Sequence, residues 1–191
     1  DPLRFYLLKE VSFGNDGNIS KEKLENCINS DLANNYGNLC QRVISFTEKN
    51  FDLNIPDEIN LMDQDKLILG KFNKNFDILI NSIDKQDINF YVKFLMETLF
   101  SSNKYFNDEA PWNKKDDKTR LNTIVYVSLE LIRRISIIIY PIMPKSSLNA
   151  LKIFNIKENE IDFKSIKDDN FLKNIKKINK IGILFNKITN D

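Results

Sequence analysis

Between residues 20 and 50 the apolar side chains recur at three- and four-residue steps: Leu24, Cys27, Ile28, Leu32, Tyr36, Leu39, Val43 and Phe46. A helix advances ~100° per residue, so this spacing lays them along one stripe and predicts a long helix with a single buried face. Ser20, ahead of Lys21-Glu22-Lys23, has the chemistry of an N-cap, and Pro56 closes the segment. The same periodicity predicts a second helix over 61–83, carried by Leu67, Leu69, Phe72, Phe76, Leu79, Ile80 and Ile83. A third over 88–105 is carried by Tyr91, Phe94, Leu95, Thr98 and Leu99. A fourth over 119–140 is apolar on nearly every side, which places it centrally, and Pro141 and Pro144 end it. A shorter helix follows over 146–154. At the start, 2–11 reads as a short helix and Ser12-Phe13-Gly14-Asn15-Asp16-Gly17-Asn18 as a turn. Beyond Lys157 the pattern weakens, with a helix expected at 170–177 and a strand-like apolar run, Ile181-Gly182-Ile183-Leu184-Phe185. The expectation is an all-α antiparallel helix bundle with a short C-terminal strand as its one β feature. It divides into a connector over 1–20, the bundle over 21–156, and a Lys-rich extension over 157–191 that packs back on the bundle.

Composition narrows what such a bundle can do. Apolar residues make up 42%, with 14 Phe and 6 Tyr, enough for a real core, while 29% charge keeps the surface wet. Lys and Arg number 28 against 27 Asp and Glu, so the formal charge is +1 and no bulk field draws nucleic acid or an acidic membrane; any polyanion must be held locally. With no histidine, the chain has no imidazole for a Ser-His-Asp triad or a His-zinc site. Cys27 and Cys40, on one continuous helix, would stand roughly 20 Å apart and cannot bridge; they read as small core residues in a reducing compartment. The most apolar run, 135–143, is far below the ~18 residues of a spanning helix, so no membrane partner is expected. No basic-then-apolar leader opens the chain, which starts at Asp1 without Met, as an excised fragment would.

Few constellations carry chemistry. Gly14-Asn15-Asp16-Gly17 lacks the strand and helix of a phosphate loop and reads as a turn. Asp63, Asp65, Asp116 and Asp117 lack the glycine and glutamate of a calcium loop and read as solvated loop carboxylates, as does the charge-balanced Lys114–Lys118 stretch. Two features stay open. Asn34, Asn38 and Arg42 recur at four-residue steps beside the apolar stripe, a polar ladder that suits reading base edges and equally suits capping and solvation. Trp112, the only Trp, stands in a charged loop behind Pro111; it either anchors that loop to the core or offers a stacking platform for bases. Gly37 inside the long helix costs about 1 kcal/mol relative to Ala, which points to another helix or a ligand coming close to the backbone there. The lysines from Lys164 onward can contact phosphate or form a solvated face.

Four motifs in order resemble the C-terminal part of bacterial methionyl-tRNA synthetases, a class I aminoacyl-tRNA synthetase family. Asp1-Pro2-Leu3-Arg4-Phe5-Tyr6-Leu7-Leu8-Lys9-Glu10 with Phe13-Gly14-Asn15-Asp16-Gly17 is similar to the segment just after the catalytic loop. Asn29-Ser30-Asp31-Leu32-Ala33-Asn34-Asn35-Tyr36-Gly37-Asn38-Leu39-Cys40-Gln41-Arg42 resembles the start of the anticodon-binding bundle. Asn103-Lys104-Tyr105 with Ala110-Pro111-Trp112 resembles the loop before a long helix, and Pro141-Ile142-Met143-Pro144 the end of that helix. Synthetases for leucine, isoleucine, valine and cysteine share the bundle; Trp112 after Pro111 favours methionine.

The resemblance implies that Trp112 stacks on the first anticodon base, that Asn38 and Arg42 hydrogen-bond anticodon bases, and that Asn34 and Pro111 line the same site. Asn107 stands where the family commonly has Asp. The same resemblance implies a role as the tRNA-binding part of a cytoplasmic methionine–tRNA ligase that recognises the CAU anticodon, with methionine tRNA and a catalytic domain as partners and not DNA. ATP and methionine, with zinc as a further candidate, would belong to that catalytic domain, since a chain without histidine carries no HIGH motif and no Lys-Met-Ser-Lys-Ser run appears; this chain itself would hold no cofactor and perform no catalysis. The rival readings are the same bundle from a related class I synthetase, or a non-enzymatic helical module that binds a protein partner.

Overall fold

The computed structural model describes residues 1–11 and 14–189; Ser12 and Phe13 of the expected turn and family motif, and Asn190 and Asp191, lie outside the described residues. Helix α1 spans Pro2–Glu10. A continuous rod follows: α2 (Lys21–Cys27), a π-helical stretch (Ile28–Gly37) and α3 (Asn38–Phe51). Ser20 caps it as expected, its side chain accepting from the Lys23 N–H. Then come α4 (Asp63–Asp84), α5 (Ile88–Glu109), α6 (Lys118–Ile139) and α7 (Pro144–Leu151). Asp87 and Asp117 cap α5 and α6 by accepting from the Phe90 and Arg120 amides. Cross-helix pairs fix the directions: Asp65 meets Tyr105 and Lys71 meets Ser101, so α4 and α5 run antiparallel, while Tyr91 meets Ile138, so α5 and α6 do too. Helix α6 lies in the middle, against α3, α4, α5 and α7, and nearly all of its residues are buried. No helix is long and apolar enough to cross a membrane.

The rod departs from a plain α-helix. Across Ile28–Gly37 the backbone opens to i→i+5 bonding, the Asn38 N–H reaching the Ala33 carbonyl, which puts more residues in each turn and keeps side chains four apart closer to one line. Gly37 shows what approaches it: a Cβ there would meet the Leu32 carbonyl at 3.3 Å and the Phe185 ring at 3.5 Å. The rod ends before Pro56, where Asp52 and Leu53 both take positive φ.

The C-terminal segment differs from expectation. Residues 181–185 form no strand and 170–177 form only one short helical turn, Phe171–Asn174. The reason is that its polar groups bond to the chain just after the rod, to the turn after α7 and to side chains rather than to a neighbouring strand: the Ile178 and Asn179 N–H groups donate to the Leu53 and Ile153 carbonyls, and the Gly182 carbonyl accepts from Gln41. It runs antiparallel along the rod from Asn54, which bridges Lys177, through Lys180 on Glu48, Gly182 accepting from Gln41, and Phe185 against Tyr36, to Ile188, which exchanges two hydrogen bonds with the Asn29 amide. Farther back it is held by a buried charge cluster. Glu130 on α6 accepts from Arg133 and Arg134, all three with no exposure, while Arg133 also donates to the Ser165 and Asp168 carbonyls and Arg134 to Asp169.

Two further expectations need correction. Leu67 and Ile83 of α4 face outward, because the buried face of that helix is Asp65, Ile68, Leu69, Phe72 and Leu79. And Asp65 is no solvated loop carboxylate: it is fully buried in the first turn of α4.

Candidate nucleic-acid interface

Arg42, the last rung of the ladder, and the indole meet. Asn34 and Asn38 stand exposed along the rod, and Arg42, partly buried, follows one turn after Asn38. The Arg42 guanidinium donates to the Asn107 side-chain carbonyl at 2.6 Å and lies 5.3 Å from the centre of the Phe106 ring and 6.0 Å from that of Trp112. Phe106 stands edge-on to both Trp112 and Phe46, at 6.0 Å each. Trp112 keeps 43% of its surface exposed. Pro111 is buried behind it. The indole is therefore anchored to the core by its contact with Phe106, one of the two roles the sequence left open for it, while part of its surface is open to solvent. Asn34 and Asn38 are not tied to this cluster by any hydrogen bond among the described residues.

The loop that carries Trp112 is positioned from both sides. Helix α5 ends when Ala110 enters the left-handed region (φ 42°), and Pro111–Asn113 then make a single tight turn. Just before it, Glu109 accepts from Arg120, the third residue of α6; just after it, Asp117 caps α6. Arg120 also grips Asp65 with both terminal nitrogens, at 2.6 and 3.0 Å, and Asp65 accepts from the Tyr105 hydroxyl and the Met62 N–H as well. Burial alone would push the Asp65 carboxyl up, but the hydrogen bonds from Arg120, Tyr105 and Met62 outweigh it and hold the group below its ordinary value. Burial and the bond to that carboxylate push the Tyr105 phenol up. Asp65 thus stays ionised across the neutral range while Tyr105 keeps its proton, and the network ties α4, α5, α6 and the Trp112 loop together.

Sequence reasoning missed Phe106, Asp65, Glu109 and Arg120. A charged residue in the first turn of a helix that is apolar all round was the available signal for Arg120, since a charge at such a position is tolerated only when paired.

Chemically, Arg42 spends one of its five N–H donors on Asn107 and keeps the others, and because its partner is an amide its positive charge is not neutralised. Next to a half-open indole, this gives hydrogen-bond donors at the edge of a stacking surface, the equipment for holding an unpaired base. Among the described residues no group of three or more potential metal ligands comes together.

The comparisons with known proteins agree with this architecture. A model of the anticodon binding domain of methionyl tRNA ligase matches residues 55–191, well over half of the chain. The chain belongs to that family. A model of class I tRNA synthetases (M) matches residues 1–44. The ladder therefore falls in one matched segment of the anticodon-binding chain and Trp112 in the other. The methionine–tRNA ligase of Rickettsia conorii is 36% identical over 174 residues, covering 87% of this chain and 34% of the relative. That of Rhizobium meliloti is 35% identical, covering 85% and 32%. The chain thus spans about a third of the length of the curated relatives it matches. The crystal structure of apo Mycobacterium tuberculosis methionyl-tRNA synthetase superposes with a TM-score of 0.89 at 28% identity, covering all of this chain and 39% of that one. A structure of the same enzyme with methionyl-adenylate gives 0.86 at 28% identity, covering 96% and 37%.

Proposed function

We propose that this anticodon-binding domain recognises the CAU anticodon of methionine tRNA on behalf of a cytoplasmic methionine–tRNA ligase. The observation that carries the reading is the convergence of Arg42 and Trp112 from two distant stretches of chain onto one solvent-open corner. Trp112 supplies the face on which the first anticodon base stacks, Arg42 and Asn38 donate to base edges, and Asn34 and Pro111 complete the walls. Cytosine presents O2 and N3 as acceptors, which suit guanidinium donors; uracil carries a donor at N3 and opposes them. Unpaired loop bases are the form in which RNA sequence is read by stacking and edge contacts, so a domain of net charge +1 can serve. Methionine and ATP would be handled by a catalytic domain, and a relative's binding of methionyl-adenylate fits that division.

Trp112 is its own reporter. Titration with a CAU anticodon stem-loop is expected to quench its fluorescence more strongly than a UAU or GAU stem-loop, and Arg42→Ala is expected to weaken CAU binding while lowering stability by only about 1 kcal/mol, the worth of its hydrogen bond to Asn107. Equal quenching by all three RNAs sinks the specificity, and a large drop in melting temperature for Arg42→Ala assigns that side chain to the scaffold instead.

A further inference from the structure

Where the C-terminal segment passes alongside α3, it leaves a groove of about 820 Å³ between itself and the end of α7. Ile156 and Leu184 form its floor, Asn155 and Asn179 hydrogen-bond to each other within it, and Lys152, Lys157 and Lys180 stand on its rim. A shallower hollow continues from it over Lys152 and Lys157 to Lys145. Lys152 is steadied by the Asn149 side-chain carbonyl at 2.8 Å, which neutralises nothing. Among the described residues Lys145, Lys152 and Lys157 have no carboxylate within ion-pair distance; Lys180 is paired with Glu48, and Glu158, an acid lining the hollow, accepts from the Tyr140 hydroxyl. Glu160 stands close by as well, its carboxylate accepting from the Lys157 backbone N–H, so four lysines face three acids, and the ammonium groups of Lys145, Lys152 and Lys157 are left without an ion-pair partner. Unpaired ammonium groups thus gather on one concave surface, an arrangement that can hold phosphates on a chain that is nearly neutral as a whole.

Continuity with the first site identifies the polyanion. Gly182 in the groove accepts from Gln41, the residue before Arg42, and Lys180 pairs with Glu48 of the same helix, so the groove flanks the stretch of α3 that presents Arg42. An RNA held by its loop at Arg42 and Trp112 would carry its backbone past this flank. We infer that the groove between α7 and the C-terminal segment is a second RNA contact that takes sugar-phosphate backbone through Lys145, Lys152 and Lys157, adding affinity without reading sequence. The inference rests on the anticodon reading for its choice of RNA. The side chains are exposed and hold no helix together, so they can be exchanged without touching the core.

The experiment uses the full chain and a CAU anticodon stem-loop, with Kd measured from 50 to 200 mM salt. Replacing Lys145, Lys152 and Lys157 together by Gln is expected to flatten the slope of log Kd against log salt by about 2 to 3, one counterion-release step per lost phosphate contact, while the CAU over UAU preference is unchanged. A control with the same change in charge, Lys66, Lys74 and Lys85 on α4 and its end replaced by Gln, is expected to leave the slope as it was. A groove variant that matches the unsubstituted chain, or a control that flattens the slope equally, overturns the inference; the first result would leave the groove to an acidic polypeptide. Lysine-dependent binding without CAU preference defeats the anticodon reading and keeps the groove. No binding by the unsubstituted chain overturns both.

Discussion

Arg120→Met removes the cation at the centre of the buried network while keeping an apolar stem of similar length. Arg120 holds Asp65 at 2.6 and 3.0 Å and Glu109 at 2.7 Å, and Asp65 has no exposure through which water could replace those bonds. Leaving one partner of a buried pair uncompensated costs about 3–5 kcal/mol. For a chain of this length each kcal/mol moves the melting temperature by roughly 2–4 °C, so a fall of about 6–20 °C at pH 7 is expected by differential scanning calorimetry. The pH dependence tests the cause. In the unsubstituted chain the Asp65 carboxyl is held below its ordinary value, so its stabilisation is present above the unfolded pKa of ~4 and is lost as pH falls through the depressed folded value. Without Arg120 the dominant influence becomes burial, which raises the carboxyl, and the folded state then prefers the neutral acid. The deficit of the variant is therefore expected to shrink between pH 7 and pH 4.5. A fall of less than about 2 °C at pH 7, or a deficit that does not change with pH, would refute the argument that this network is ionised and structural.

Three other outcomes follow from the same geometry. Asn107→Asp places a carboxylate against Arg42 and takes up its free donors, so a CAU stem-loop should bind several-fold more weakly, read by fluorescence titration. Glu130→Gln leaves two fully buried guanidinium groups sharing a neutral partner; a loss of about 3–5 kcal/mol is expected, with faster tryptic cleavage at Lys173 and Lys176 as the C-terminal segment loosens. Burial, with Asp31 next to it, pushes the Cys27 thiol up to about 12, and burial raises Cys40 as well, so iodoacetamide at pH 8 should leave both unmodified in the folded chain and alkylate both in guanidinium, as read by mass spectrometry.

The parts of this molecule that were legible in the sequence are those written in local periodicity. The stripe from Leu24 to Phe46, the all-round apolarity of α6 and the Ser20 cap each follow from residues within a turn or two of one another. What was not legible depends on partners far along the chain. Asp65 looked like a loop carboxylate because its partners, Tyr105 and Arg120, lie 40 and 55 residues away. Gly37 announced a close approach but not that Phe185 makes it. The run 181–185 is short and apolar like a buried strand, yet it finds a helix rather than a sheet edge, and the Gln41 side chain takes the carbonyl that a strand would have offered to a neighbour. The opening of the rod to i→i+5 bonding has no signature in hydrophobic spacing, since a stripe at three- and four-residue steps suits either helix.

The candidate site is divided between the two segments that match different family models, the ladder before residue 44 and the indole after residue 55. Its geometry therefore depends on what joins the rod to α5. Three contacts do so in sequence: Asn103 donating to Asn35, Arg42 donating to Asn107, and Phe106 edge-on to Phe46. All three lie in the last two turns of α5, the end that Glu109 and Arg120 fasten to α6 and α4. The exposed indole is thus held by a chain of contacts that ends in a buried ion pair, so a base stacking on it as proposed would meet a surface already ordered. Ordering a flexible aromatic loop on binding would cost affinity for every RNA alike; holding it ready would remove that cost and, on the proposed function, leave discrimination to the donors of Arg42 and Asn38. On this argument a change at Arg120 should weaken CAU and UAU stem-loops by similar factors, whereas a change at Arg42 should narrow the ratio between them.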